Sequence, residues 1–124
     1  MDIFSKFTIL GILFVLTVAF GFWLSHLGKP YNGILFNIHK LVALGAVIVA
    51  ISQLFKMITV ANPISLVVVF LILAAICTLV LFASGALMSA GKLDYTLMLT
   101  IHRVAPVLLT IAMAMAGYLL ARTP

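Results

Sequence analysis

The chain has 124 residues, of which 66% are hydrophobic and 7% are charged, and its formal net charge is +5. Soluble domains have roughly 45–50% apolar and about 25% charged residues, so the composition excludes an ordinary soluble fold and indicates a membrane protein. The positive charge does not indicate nucleic-acid binding, because the basic residues stand singly at the ends of apolar runs. Cys77 is the single cysteine, which excludes an intrachain disulfide.

Four apolar runs are each long enough to cross about 30 Å of hydrocarbon. We take the first as a retained anchor helix, because its apolar part is too long for a signal peptide. Short, turn-rich connections follow the first and third runs, and Asn62-Pro63 predicts a turn between the halves. We predict an all-α integral membrane protein, a single transmembrane domain over residues 1–124 that forms an up-down-up-down four-helix bundle. The predicted helices cover about residues 7–27, 34–57, 63–90 and 95–121.

The two halves of the chain, about residues 1–61 and 64–124, repeat one pattern. A shift of 63 residues places Gly28-Lys29 on Gly91-Lys92 and His39 on His102. Lysine and histidine are rare in this chain, so their agreement in one register predicts two copies of a helical hairpin. In the predicted bundle the second and fourth helices run in the same direction, which places both histidines near one membrane face.

The two histidines are the candidate functional residues. Ionisable side chains within a membrane usually face the bundle interior and mark a function. The simpler alternative is that each imidazole only reaches the interface or hydrogen-bonds a neighbouring helix. Bare zinc or copper wants three or four ligands, whereas haem iron needs two axial ligands beyond the porphyrin nitrogens. We therefore predict that His39 and His102 bind haem iron.

Small side chains would leave room for a macrocycle beside the first of these ligands. Ala43 and Ala46 follow His39 at helical spacing, although rows of small residues also serve close helix packing. Pro106 lies four residues after His102. We expect it to kink the fourth helix and so to change the direction in which the His102 imidazole points.

Four cations are expected at the membrane face that carries the histidines. Lys40 and Arg103 directly follow the two ligands, and we expect them to bind the haem propionates. Lys29 and Lys92 lie in the adjacent connections, where interfacial anchoring is an equal alternative. His26 has no counterpart in the repeat, and we expect a surface residue, with proton handling near a quinone or the haem edge as the alternative.

Four helices with histidines on the second and the fourth resemble the bis-histidine transmembrane b-type cytochromes, including the haem-carrying bundle of quinol-oxidising cytochrome b. The resemblance covers the architecture and ligand placement of the whole chain. It implies one haem b near one membrane face, because the far ends of the ligand helices have no histidine for a second haem. It also implies electron transfer between a quinol or partner dehydrogenase and a partner redox protein. We expect an electron-transfer subunit, or else a quinone-linked oxidoreductase.

A cofactor-free transporter and a structural accessory subunit are the competing functions. Secondary transport is disfavoured because the two carboxylates, Asp2 and Asp94, lie outside the predicted spans. No Cys-x-x-Cys-His sequence occurs, which excludes c-type haem attachment. If Lys40 and Arg103 serve propionates, the remaining flanking charges favour cytoplasmic termini in a prokaryotic inner membrane.

Overall fold

The structure, a computed structural model, describes residues 3–61 and 65–122 and consists of four long α-helices. They are α1 Ile3–Leu27, α2 Gly33–Ala61, α3 Ser65–Ala90 and α4 Tyr95–Arg122. No strand occurs in these two described ranges. The all-α prediction is therefore confirmed, whereas the predicted turn at Asn62-Pro63 lies outside the described residues.

All four helices are long and apolar enough to cross a membrane. The qualifying stretches are Thr8–Leu27, Gly33–Lys56, Ser65–Ala90 and Tyr95–Leu120. Large apolar side chains are exposed along each helix, including Trp23, Phe55, Leu79 and Tyr118. Hydrocarbon accommodates such a surface, and a helix satisfies its own backbone polar groups there. The architecture is that of a multi-pass membrane protein.

The chain divides into two compact units, Met1–Ala61 and Asn62–Pro124. The first hairpin contains α1 and α2, and the second hairpin contains α3 and α4. The assembly of both hairpins into one up-down-up-down bundle stays a prediction, and so does the origin of the hairpins by duplication.

The connection within each hairpin begins with a glycine in the left-handed conformation. Gly28 has φ 72° and Gly91 has φ 67°. Their N–H groups donate to the carbonyls of Leu24 at 3.2 Å and Leu87 at 3.1 Å. This is the usual end of an α-helix at glycine, because glycine adopts a positive φ without a steric penalty.

The second helix of each hairpin begins at a capping side chain. The Asn32 Oδ1 accepts the N–H groups of Ile34 at 3.0 Å and Leu35 at 3.3 Å. The Asp94 Oδ1 accepts the N–H group of Thr96 at 3.1 Å. Both residues are of the types that satisfy the first N–H groups of a helix. These caps set where α2 and α4 begin, and therefore how far along each helix its histidine lies.

The second hairpin has a closely packed seam between its helices. Its buried residues are Val67, Ala74, Cys77, Ser84 and Met88 from α3 with Met98, Ala105, Ala112 and Ala116 from α4. Small side chains in such a seam allow the helix backbones to approach closely. In the first hairpin, Leu24 is the one buried residue among the side chains that the structure describes. The second hairpin is therefore the more tightly packed of the two.

Candidate functional site

In the first hairpin, His39 hydrogen-bonds the backbone of the facing helix. Its Nδ1 lies 2.9 Å from the carbonyl oxygen of Thr17. A carbonyl only accepts hydrogen bonds, so the proton of this bond belongs to Nδ1. A neutral imidazole protonated at Nδ1 carries its lone pair on Nε2, the nitrogen through which such a ring would bind iron.

The imidazole of His39 lies directly over a glycine of α1. A Cβ added at Gly21 would lie 2.9 Å from Cε1 of the ring, closer than real Cβ contacts allow. Gly21 is four residues after Thr17, so the ring covers the helical turn that begins at the carbonyl it binds. A larger residue at this position would force the imidazole of His39 to move, because the ring approaches the backbone of α1 closely.

The second hairpin presents His102 in the same way. Its Nδ1 lies 3.0 Å from the carbonyl oxygen of Leu81. Gly85 is four residues after Leu81, and a Cβ added there would lie 3.2 Å from Cε1 of the ring. Each hairpin thus contains a histidine on its second helix, and a backbone carbonyl and a glycine one turn apart on its first helix. We call these three parts the histidine notch.

A serine distinguishes the notch of the second hairpin. The Ser84 Oγ lies 2.9 Å from Nδ1 of His102 and donates to the Leu81 carbonyl at 3.1 Å. Ser84 is 3% exposed, and it is the one buried polar residue among the side chains that the structure describes. The residue before the glycine in the first hairpin is Phe20, which stacks on Trp23 with ring centroids 6.4 Å apart.

The glycine of the notch was not identified from the repeat in the sequence. The histidines are 63 residues apart, whereas Gly21 and Gly85 are 64 residues apart. The register of 63 therefore aligns Gly21 with Ser84 and separates the two glycines by one position. A glycine inside a long apolar helix, 17 or 18 residues before a histidine, was the available signal.

The structure places Lys40 against aromatic rings at the start of α2. Its Nζ lies 4.3 Å from the ring centroid of Phe36, one helical turn earlier. Phe36 in turn stacks on Tyr31, with centroids 5.9 Å apart. Lys40 and Arg103 are both exposed. The Lys40 side chain therefore extends toward the start of its helix, as lysines near a membrane interface do. The binding of haem propionates by Lys40 and Arg103 stays a prediction.

The other candidate residues lie along the same helices. Ala43 and Ala46 are half-buried in α2. Pro106 lies within the continuous helix α4, and the carbonyl of Pro106 accepts the hydroxyl of Thr110 at 2.7 Å. His26 is exposed in the last turn of α1. Room for a macrocycle beside the two alanines stays a prediction.

Each hairpin therefore contributes one candidate imidazole, His39 in the first and His102 in the second. Among the residues that the structure describes, no three His, Cys, Asp or Glu side chains are grouped to hold a metal ion. No protein-family model, curated protein or solved structure gives a significant match to the chain. The two histidine notches are the described features of the chain that bear on its function.

Proposed function

We propose that this protein is a membrane b-type cytochrome in which His39 and His102 are the axial ligands of one haem b. The supporting observation is that each Nδ1 lies within 3.0 Å of a backbone carbonyl of the facing helix. Metal-binding histidines almost always donate their second ring N–H to such an acceptor, which fixes the tautomer and makes the ligating nitrogen more basic. Both imidazoles have the protonation that ligation through Nε2 requires.

Two histidines are sufficient to bind haem iron, so the chain needs no third protein ligand. The bound haem would supply one-electron chemistry by cycling between Fe(III) and Fe(II). His39 and His102 would both bind the iron, so electron transfer is favoured over oxygen binding. Lys40 and Arg103 would bind the propionates, and Ala43 with Ala46 would leave space beside the ring. The pairing of the two histidines on one haem is itself part of the proposal.

The proposed role is to carry electrons between a membrane quinol or partner dehydrogenase and a partner redox protein. The four membrane-crossing helices support a position within the bilayer. We propose a prokaryotic inner membrane as its location. If Lys40 and Arg103 serve the propionates, the remaining flanking lysines and arginines favour termini in the cytoplasm. The shared histidine notch supports the origin of the two hairpins by duplication.

A purely structural role for the notches is the alternative, because each histidine–carbonyl hydrogen bond also joins two helices. Such bonds between membrane helices contribute about 0.6 kcal/mol on average. We propose ligation over this alternative because both imidazoles make the Nδ1–carbonyl hydrogen bond that metal-binding histidines make.

A visible spectrum tests the proposed function. The full-length protein is produced with an ample haem supply, purified in detergent and reduced with dithionite. We expect split α and β bands of low-spin haem. The double variant His39→Ala/His102→Ala, purified in parallel, corrects for haem dissolved in the detergent. A colourless wild-type protein, or equal haem in both preparations, would exclude the proposed function.

A further inference from the structure

The buried hydroxyl of Ser84 requires a physical explanation. A hydroxyl removed from water costs free energy unless it is hydrogen-bonded, and Ser84 is 3% exposed. It lies within hydrogen-bond distance of two groups, the Leu81 carbonyl at 3.1 Å and the His102 Nδ1 at 2.9 Å. These three groups form a closed cluster, because His102 Nδ1 also lies 3.0 Å from the Leu81 carbonyl.

The protons of this cluster can be assigned from the chemistry of its members. The Leu81 carbonyl accepts from both neighbours, so the Ser84 hydroxyl donates to the carbonyl. The lone pairs of Oγ then face Nδ1, which donates to both Oγ and the carbonyl. The opposite assignment, with Ser84 donating to an unprotonated Nδ1, would direct the nitrogen lone pair at a carbonyl oxygen 3.0 Å away. Repulsion between the two lone pairs disfavours it.

We infer that Ser84 is a positioning residue that holds His102 in its Nδ1-protonated form and restricts the rotation of its ring. The inference rests on the proposed function for its consequence at the iron, although the Ser84–His102 contact exists independently of haem. A second acceptor for the Nδ1 proton increases the electron density at Nε2. A more basic ligand stabilises Fe(III), so the hydroxyl would lower the midpoint potential of the haem.

This arrangement makes the two ligands chemically unequal. The position that Ser84 occupies in the second hairpin is taken in the first hairpin by Phe20, which has no hydroxyl. Loss of the Ser84 hydroxyl should therefore change His102 and leave His39 unchanged. That selectivity separates a positioning role from a general contribution of Ser84 to helix packing, which would affect the whole seam.

Nitrogen NMR of histidine-labelled, full-length protein in nanodiscs tests the inference. Spectra are recorded at alkaline pH, where imidazoles are neutral, on the dithionite-reduced protein, since low-spin Fe(II) is diamagnetic. The variants are Ser84→Ala, Ser84→Thr, which keeps the hydroxyl, and Ser84→Cys, which is close in size but a weak hydrogen-bond partner. Thr78→Val is the matched control, because Thr78 lies in the same helix and its hydroxyl donates to the Ala74 carbonyl at 2.9 Å.

We expect Ser84→Ala to shift the His102 Nδ1 resonance toward weaker hydrogen bonding and to leave that of His39 in place. Ser84→Thr should restore the wild-type position, and if its added methyl prevents folding, Ser84→Cys should give an intermediate shift. A His102 resonance that does not move in Ser84→Ala, or that moves equally in Thr78→Val, would overturn the inference.

The midpoint potential supplies the second readout. Ser84→Ala should raise it at unchanged haem content, whereas Thr78→Val should leave it at the wild-type value. A fall, or no change, in Ser84→Ala would contradict the assigned effect of the hydroxyl on Nε2. If the wild-type protein proves colourless, the proposed function fails, and the same NMR comparison still decides whether Ser84 positions His102.

Discussion

The two hairpins present their histidines alike but hold them in different surroundings. In the first hairpin His39 lies over Gly21 at close contact, and few side chains are buried around it. In the second hairpin His102 lies over Gly85 with more space and beside Ser84, and the same hairpin has a seam of buried alanines. Both hairpins have the backbone carbonyl and the glycine, which set the tautomer and the position of the imidazole. The hairpins differ in the serine and in the buried seam, which affect hydrogen bonding and helix packing. Variants of the notch therefore test how the imidazole is held, and variants of the seam test the stability of the hairpin.

Removal of either histidine should have the largest effect. His39→Ala or His102→Ala deletes one of the two proposed haem ligands, and each single variant should lose the low-spin spectrum, because six-coordination needs both imidazoles. Visible spectra of the purified variants measure this directly. His26→Ala is the control and should keep the wild-type spectrum.

If haem binding did not need one of the two notch histidines, the two hairpins would not be equivalent. A low-spin spectrum that survives in His39→Ala but disappears in His26→Ala, for example, would reassign one ligand to the end of α1.

Enlargement of a buried alanine should destabilise the second hairpin strongly. Ala112 is 1% exposed in the seam, so Ala112→Leu forces its helices apart, at about 1–3 kcal/mol for an overpacked site. Ala114→Leu, at an exposed position of the same helix, should be nearly neutral. Unfolding in mixed detergents compares the two variants. Equal stabilities would show that the seam is not closely packed in the protein.

Alanine substitutions at the two notch glycines should lower haem retention to different extents. Gly21→Ala places a methyl 2.9 Å from the His39 ring, whereas Gly85→Ala places one 3.2 Å from the His102 ring. We expect the first to displace its imidazole and lower haem retention, and the second to have a smaller effect, within about 1–3 kcal/mol for overpacking. Retention is measured as the haem lost to a competing apoprotein.

Two other glycines provide matched controls for this series. A Cβ added at Gly11 in α1 or at Gly117 in α4 meets no atom within 4 Å. Gly11→Ala and Gly117→Ala should therefore retain haem as the wild type does. The reverse order, with Gly85→Ala more damaging than Gly21→Ala, would contradict the difference in space between the notches.

Neutralisation of Lys40 or Arg103 should have the smallest effect of these substitutions. Positive charge near the haem disfavours Fe(III), so Lys40→Gln and Arg103→Gln should each lower the midpoint potential. A unit charge about 10 Å from the iron contributes roughly 1.7 kcal/mol at an effective dielectric constant near 20. Salt and interfacial water should reduce the shift to the order of tens of millivolts. Redox titration measures it.

Lys56→Gln is the control for the charge variants. Lys56 lies in the same helix as Lys40, 16 residues further on, or about 24 Å along the helix axis. Its replacement should hardly change the potential. Equal shifts for Lys40→Gln and Lys56→Gln would place the haem elsewhere than beside His39.

Hydropathy was sufficient to predict four long membrane helices, because apolar length is a property of the sequence alone. It located the helix ends less well. α2 was expected to end near residue 57 and continues to Ala61. Hydropathy measures the part of a helix that suits hydrocarbon, whereas the backbone hydrogen bonds continue past that boundary. The glycine ends and the Asn32 and Asp94 caps lie in the predicted connections, where local chemistry specifies them.

The histidine pair was recognisable from the sequence, but its supporting groups were not. Thr17 and Leu81 contribute backbone carbonyls, and no side-chain pattern marks a carbonyl that accepts a hydrogen bond from another helix. The register of 63 residues aligns Ser84 with Gly21, whereas the carbonyl and glycine positions of the two notches match at 64 residues. Such a one-residue offset cannot be read from the repeat, because contacts between two helices involve residues far apart in the chain.

The haem content of the purified protein tests the pairing of His39 and His102 most directly. Haem is quantified as its pyridine complex against protein from amino-acid analysis, and the same sample is examined by electron paramagnetic resonance in the ferric state. Two imidazoles from one chain on one iron predict one haem per chain with a low-spin signal. No haem, two haems per chain, or one low-spin haem shared by two chains would contradict the account.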